Sequence, residues 1–248
     1  MKITKNELKK MINESVERQL RKTNHQKTNQ HNSRKKKVNE RSNIDYKYFP
    51  KNKRELIKIV EQEIRINGYT CDLNMIDTSK IKDMTSVFSD SKFNGDISKW
   101  NVSNVTDMTR LFFNSKFNGD ISKWNVGNVI TMHAMFYNSK FNGDIRKWNV
   151  GKVKDMSYMF NNSNFNGDIS NWNVGNVTNM HAMFEDSKFD GNISNWNVSK
   201  VKDMSYMFND SEFDGDVSNW NISKNCEFTN FNNVINDYDD FIYYIENA

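Results

Sequence analysis

Six tryptophans, the only ones in the chain, stand at Trp100, Trp124, Trp148, Trp172, Trp196 and Trp220, each twenty-four residues from the next. A fixed interval of this length is the signature of a repeat architecture, in which no unit buries its own apolar face and each needs its neighbours. The surrounding residues recur with it. Residues 93–116 read Phe-Asn-Gly-Asp-Ile-Ser-Lys-Trp-Asn-Val-Ser-Asn-Val-Thr-Asp-Met-Thr-Arg-Leu-Phe-Phe-Asn-Ser-Lys, and complete copies begin at Phe93, Phe117, Phe141, Phe165 and Phe189. A partial copy starts at Phe213. A degenerate one opens at Tyr69, with Cys71 in the glycine column and Ile76 in the tryptophan column. Such atypical end units are what capping repeats look like.

A period of 20 to 29 residues is the length of one coil holding a short strand and a short helical turn, whereas two-helix repeats need more chain. Within each coil Asp-Ile-Ser reads as the strand, with Gly95 and its equivalents making the turn before it. Residues 106–112 read as helical, because Val105, Met108, Leu111 and Phe112 fall at helical spacing and Ser103 or Thr106 is a competent cap. Eight columns are persistently apolar, those of Phe93, Ile97, Trp100, Val102, Val105, Met108, Leu111 and Phe112. Burying each side chain contributes about 1.5–3 kcal/mol, against a backbone ordering cost of about 1–2 kcal/mol per residue, so a lone coil is unstable. The Asn101 column is expected to form a side-chain ladder at the turn after the strand. The fold class this implies is a mixed α/β repeat solenoid, leucine-rich-repeat-like, with one short parallel strand and one short helical turn per 24-residue coil and helical caps at both ends.

The motif Phe-Asn-Gly-Asp-Ile-Ser-x-Trp-Asn-Val-Ser-x-Val-x-x-Met-x-x-Met-Phe resembles the leucine-rich-repeat-like unit of BspA-type bacterial surface proteins, a repeat also known from mycoplasma lipoproteins as a domain of unknown function. The resemblance covers roughly residues 69–224. It implies a solenoid used for adhesion or protein recognition, without specifying a ligand, in a family not defined by catalytic residues.

Outside the repeats the chain divides by charge. Residues 1–43 hold thirteen Lys and Arg against four Glu, so the net +4 of the whole chain conceals an arm of +9 and a remainder of −5. Thr4 and Glu7 form a capping-box pattern, followed by Leu8, Met11, Ile12, Val16 and Leu20 on one face of a basic amphipathic helix suited to docking on an assembly partner. Its lysine-rich style is similar to the front ends of many tailed-phage accessory proteins. Residues 21–43 are polar, centred on the basic arm Arg34, Lys35, Lys36 and Lys37, and read as a flexible linker. This arm also suits an anionic membrane or nucleic acid, although no aromatics interleave with the charges as single-strand stacking requires.

Two caps are expected. Residues 44–68 carry a helix that Asn52 and Glu55 start, Leu56, Ile57, Val60 and Ile64 bury, and Gly68 stops. Residues 225–248, with five acids and no Lys or Arg, carry Phe228, Phe231, Val234, Ile235, Tyr238, Ile242 and Ile245 at helical spacing and read as an acidic capping helix, or else as an acidic partner-binding tail.

Chemistry is sparse. Cys71 and Cys226 lie at opposite ends of the stack, roughly 29 Å apart at six strand spacings, too far for a disulfide. No zinc spacing exists. The column Asp96, Asp120, Asp144, Asp168 and Asp216, interrupted by Asn192, suits either calcium or hydrogen bonds within its own turns; the second reading is preferred. Accordingly no metal, cofactor or catalytic group is expected. The tryptophan and methionine columns read as core.

Positions that escape the repeat are more informative, because packing does not dictate them. The pair after Met108 and its equivalents reads Thr-Arg, His-Ala, Ser-Tyr, His-Ala and Ser-Tyr, a 48-residue superperiod. It sets Arg110, His133, Tyr158, His181 and Tyr206 along one rim, joined by Phe113 and Tyr137, and these seven are the candidate partner contacts. The expected function is a non-enzymatic recognition or adhesion module that presents a rigid surface to a protein or glycan. The alternative is an intracellular scaffold, or a nucleic-acid-associated protein using the basic arm. Residues 1–10 show no signal-peptide core or lipid-attachment cysteine, and no segment is long enough to span a membrane. The expected locations are therefore a virion or cell surface reached by a non-classical route, or otherwise the cytoplasm.

Overall fold

Every interior copy closes one coil and lays it in register on the next. The structure, a computed structural model, describes residues 44–232, 235 and 238–247. The docking-helix residues, the basic arm and Val234 lie outside the described residues.

The register is recorded by one uninterrupted line of parallel bridges running Asp83, Asp107, Thr131, Asp155, Asn179, Asp203, Glu227, each step spanning one coil. This line does not fall where the strand was expected. At Asp-Ile-Ser only Asp72 and Asp96 form a bridge. The pairing lies instead in the stretch read as helical, and that stretch is a succession of tight turns. Arg110, Asn114, Ala134, Asn138, Tyr158 and Asn162 all have φ between 48° and 57°. In these turns Met108 accepts from Leu111 N–H at 3.1 Å and Arg110 from Phe113 N–H at 3.2 Å. Alternate amides then point along the stack. The N–H groups of Met108, Arg110, Phe112 and Asn114 donate to the carbonyls of Thr131, His133, Met135 and Tyr137 at 2.7–3.1 Å. Helical φ and ψ would turn these amides back into their own coil and leave the neighbour's carbonyls unpaired, which is why apolar spacing alone misled here.

Inside the coils, aromatic rings form continuous columns. Phe88, Phe112, Phe136, Phe160, Phe184 and Phe208 follow at 5.5–5.7 Å between centroids. Phe93 through Phe213 follow at 6.1–6.3 Å. The two columns interleave, with Phe112 to Phe117 at 4.4 Å. Each tryptophan is buried and donates Nε1–H to a carbonyl one coil back, from Trp100 to Leu73 through Trp220 to Ile193, at 2.9–3.2 Å. An otherwise orphaned polar atom is thereby satisfied inside the core.

Two other roles differ from expectation. The Asn101 column does not run between coils: its Oδ1 atoms accept from the amide two residues on, as Asn101 does from Ser103 and Asn125 from Gly127. The ladder lies seven residues earlier, where Asn94, Asn118, Asn142 and Asn166 each accept from the backbone of the next coil at 2.8–2.9 Å and Asp190 continues to Asp214. Gly119 and Gly143 are glycine because a Cβ would come within 2.8 Å of the preceding Phe117 or Phe141 ring, and their φ is not positive.

Both ends are closed by helices. Helix α1, Lys53–Asn67, starts at Asn52, whose Oδ1 accepts from Glu55 N–H at 3.0 Å while the Glu55 carboxylate accepts from Lys51 N–H at 2.9 Å. It ends at Gly68, where φ is 88°. Leu56 and Val60 are buried, Ile57 and Ile64 half-buried, and the third buried residue is Glu63. That carboxylate is accommodated by the Tyr48 hydroxyl, by Asn67 Nδ2 at 2.7 Å and by Lys47 Nζ at 3.5 Å, as a buried charge requires. Helix α2, Tyr238–Asn247, is shorter than the expected 225–248. Residues 226–231 instead complete the turn side of the last coil, Phe208 N–H donating to Phe231 at 2.7 Å. Phe228, Phe231 and Phe241 then cover Phe208 and Trp220, with Phe231 edge-on to both.

Candidate recognition surface

The turns that carry the ladder also position the rim, because each left-handed residue sends its side chain outward from a backbone pinned on both sides. Arg110, Tyr158 and Tyr206 occupy such positions, with φ of 54°, 57° and 60°, and so do Ala134 and Ala182. Both alanines are buried.

Two groups result. In the first, Arg110 is exposed and its guanidinium lies 5.2 Å from the Phe113 ring, which stacks on Tyr137 at 4.7 Å. In the second, His133, Tyr158, His181 and Tyr206 interlock as a continuous strip. Successive centroids are 5.8, 5.1 and 5.7 Å apart, and the first and last contacts are edge-on. All seven expected contact residues are thus brought into these two groups, and the six besides Arg110 are half-buried.

The histidines are held as well as stacked. His133 Nδ1 lies 2.7 Å from Ser157 Oγ, whose hydroxyl also donates to Asp155 at 2.6 Å. His181 Nδ1 lies 3.1 Å from Asp203 Oδ2. The superperiod therefore has a packing cause. A histidine at the Thr109 position meets a serine or carboxylate on the next coil, and in the Arg110 column Tyr158 lies between Ala134 and Ala182 while Tyr206 lies between Ala182 and Asn230.

Glu185 and Asn161 were not singled out from sequence, although the Phe113 column betrays them by passing from Phe113 and Tyr137 to Asn161 and then Glu185. Asn161 Nδ2 donates to Glu185 Oε2 at 2.7 Å. Burial pushes the Glu185 carboxyl above its usual range against this hydrogen bond, with Asp186 adding to the rise. Burial likewise raises the Tyr158 hydroxyl, with Glu185 and Asp203 acting in the same direction.

The aspartate column is engaged locally. Asp120, Asp144, Asp168 and Asp216 accept from the amide two residues on at 2.8–3.0 Å. Their carboxyls lie below the usual range, held down first by the Ser122 and Ser170 side chains and by the Arg146 and Ser218 amides. Among the described residues no three His, Cys, Asp or Glu side chains converge as metal ligands, and no helix is long and apolar enough to cross a membrane. Cys71 and Cys226 are free thiols, and burial pushes that of Cys226 up to about 11. An open groove of about 740 Å³ lies between α1 and the first coil, lined by Ile57, Ile64, Arg65, Tyr69 and Val87 among others.

These features describe a repeat-containing protein whose units share one hydrogen-bonding register and differ at one rim. The model of a family described as Mycoplasma protein of unknown function, DUF285, matches residues 59–166 and again 139–247, and the chain belongs to this family. No curated protein and no solved structure matches it.

Proposed function

We propose that the protein is a non-enzymatic recognition module. Residues 69–232 act as a leucine-rich-repeat-like solenoid of BspA-like type that presents the aromatic rim to a protein or glycan. The amino-terminal apolar residues Leu8 to Leu20 serve as its anchor on a cell surface or phage particle. The observation that supports this most is the strip His133, Tyr158, His181, Tyr206. These are large amphipathic side chains, half-exposed, already fixed by ring contacts and by Ser157 and Asp203. Side chains immobilised before a partner arrives lose little further entropy on binding, and tyrosine is prominent among residues that dominate interfaces.

The test is to probe a glycan array and a panel of cell-surface proteins with the full-length chain and with its Tyr158→Ala/Tyr206→Ala variant. The double variant is expected to weaken the strongest hit at least about tenfold, the loss of two anchor side chains, while remaining folded with a melting temperature lower by only about a few degrees. Equal affinity would remove the rim from the reading. The +9 charge of residues 1–43 supports a second reading, an intracellular scaffold or nucleic-acid-associated protein acting through Arg34, Lys35, Lys36 and Lys37. Fractionation of the native source separates the two, since a purely soluble cytoplasmic pool favours the second.

A further inference from the structure

Two further columns of the stack carry a stripe of positive charge without ion-pair partners among the described residues. Lys80 and Lys82, Lys152 and Lys154, Lys200 and Lys202, and Lys224 all fall in two columns, those of Asn104 and Thr106, which flank the buried Val105 column. All seven are exposed. The other positions of these columns are asparagine, threonine, isoleucine and, in the last coil, a buried cysteine, so neither column holds an acid. No ion pair joins any of the seven to another described residue. Of the acids beside these lysines in sequence, Asp83, Asp155 and Asp203 turn their carboxylates into their own turns, accepting from Thr85, Ser157 and Ser205 N–H at 2.8–2.9 Å, and Asp83 also pairs with Lys53 of α1 at 2.7 Å. Lys152 and Lys200 rest on neutral acceptors, Asn128 Oδ1 at 2.6 Å and Asn176 Oδ1 at 2.8 Å.

The stripe is rigidly spaced. Along the Thr106 column each amide donates to the carbonyl one coil back, from Thr106 to Lys82 through Lys202 to Thr178, at 2.8–2.9 Å. Parallel pairing fixes the coil rise at about 4.8 Å, which puts the 152/154 and 200/202 pairs roughly 10 Å apart. Like charges held in line repel one another, and a linear polyanion relieves that repulsion.

The geometry points to an acidic polysaccharide as the ligand of this lysine stripe. The inference rests on the recognition reading above and narrows its partner class. Charge density favours a glycan over nucleic acid: duplex DNA carries one charge per about 1.7 Å, whereas the stripe averages one lysine per about 5 Å, with the paired coils separated by uncharged ones. The two columns also lack the aromatic platforms on which single-stranded bases stack. Lysine supplies point charges that suit carboxylates and sulfates scattered along a flexible chain and does not demand the bidentate geometry of arginine.

The test uses the full chain with Arg34→Gln, Lys35→Gln, Lys36→Gln and Lys37→Gln, which lowers the charge of residues 1–43 from +9 to +5 (nine Lys and Arg against four Glu) and is common to every variant compared, so that a difference between variants does not come from the arm. Heparin, neutral dextran and a DNA duplex are titrated against it at several salt concentrations. Heparin is expected to bind and dextran not. Adding Lys152→Gln, Lys154→Gln, Lys200→Gln and Lys202→Gln should cost at least about tenfold in affinity and flatten the salt dependence by about three charges, with the melting temperature unchanged. Heparin affinity indifferent to the four lysines would overturn the inference, and so would tighter binding of duplex DNA through them. Tyr158→Ala/Tyr206→Ala in the same background separates the two surfaces. If that pair alone abolishes heparin binding, the rim stands and the stripe falls; if the lysines alone do, the stripe stands without the rim.

Discussion

The Phe112 column and the His133–Tyr206 strip stand on the same rungs, yet they keep different periods. Phenylalanine recurs in every coil, at nearly constant spacing and with interplanar angles of 10° or less. The rim alternates His-Ala with Ser-Tyr and meets at angles from 54° to 81°. The backbone beneath is the same, since Arg110, Ala134, Tyr158, Ala182 and Tyr206 share φ of 50–60°. The difference must therefore come from the side chains. In the dry interior a ring is best covered by an identical ring one coil away, which locks the 24-residue period. At the half-wet edge a polar tip needs a partner, so two unlike coils make the smallest self-satisfying unit.

Removing an interior ring should therefore do the greatest damage. Trp148 is buried, lies 6.5 Å from Trp172 and donates to Ile121 O at 3.1 Å. Trp148→Ala is expected to cost about 3–5 kcal/mol in urea unfolding, the range for emptying a large aromatic site. Trp148→Phe should cost less, since it removes the indole donor but leaves the Ile121 carbonyl accepting from Trp124 N–H at 3.1 Å. An alanine variant as stable as the parent would mean that the columns do not carry the stack.

On the rim the expected quantity is a coupling. His181→Ala and Tyr206→Ala should each cost about 1 kcal/mol, and a double-mutant cycle should return about 0.5–1 kcal/mol between them. Tyr206 against Tyr137, which belongs to the other group, should give a coupling near zero. Equal values would erase the distinction between the two rim groups.

Much of this was legible in the residues. The tryptophan interval, the apolar columns and the Asn52, Glu55 and Gly68 signals of α1 each act through local or repeated contacts, and a sequence displays those directly. The turn side was not. Met108, Leu111 and Phe112 have helical spacing, but spacing reports which residues face inward and says nothing of where the amides point. Only the neighbouring coil, whose carbonyls accept from Met108, Arg110 and Phe112, decides that. For the same reason the ladder was assigned to Asn101 instead of Asn94: both columns are asparagine, and only the direction of the next coil separates them. The seven rim residues were found because they break the period. Glu185 was missed because its column drifts gradually from Phe113.

The subtlest difference between the rim and the aromatic columns is electrostatic, since the rim holds the half-buried acid Glu185. Glu185 takes a hydrogen bond from Asn161 and faces Asp186, Asp210 and His181, and burial leaves its carboxyl raised. A carboxyl whose folded value exceeds its unfolded one contributes stability when protonated and loses that contribution as pH rises through the raised value. Glu185→Gln keeps an acceptor for Asn161 and removes the charge. The variant should therefore melt slightly higher than the parent at neutral pH, by a few tenths of a kcal/mol after solvent screening, and the gap should close as pH falls below the ordinary glutamate range of about 4.3. His181, when charged, attracts Glu185 and works against the gap, so His181→Ala/Glu185→Gln compared with His181→Ala should show a wider one. A gap that stays constant from neutral to acid pH would mean that the Glu185 charge is fully solvated and that the rim, like the core, is governed by packing alone.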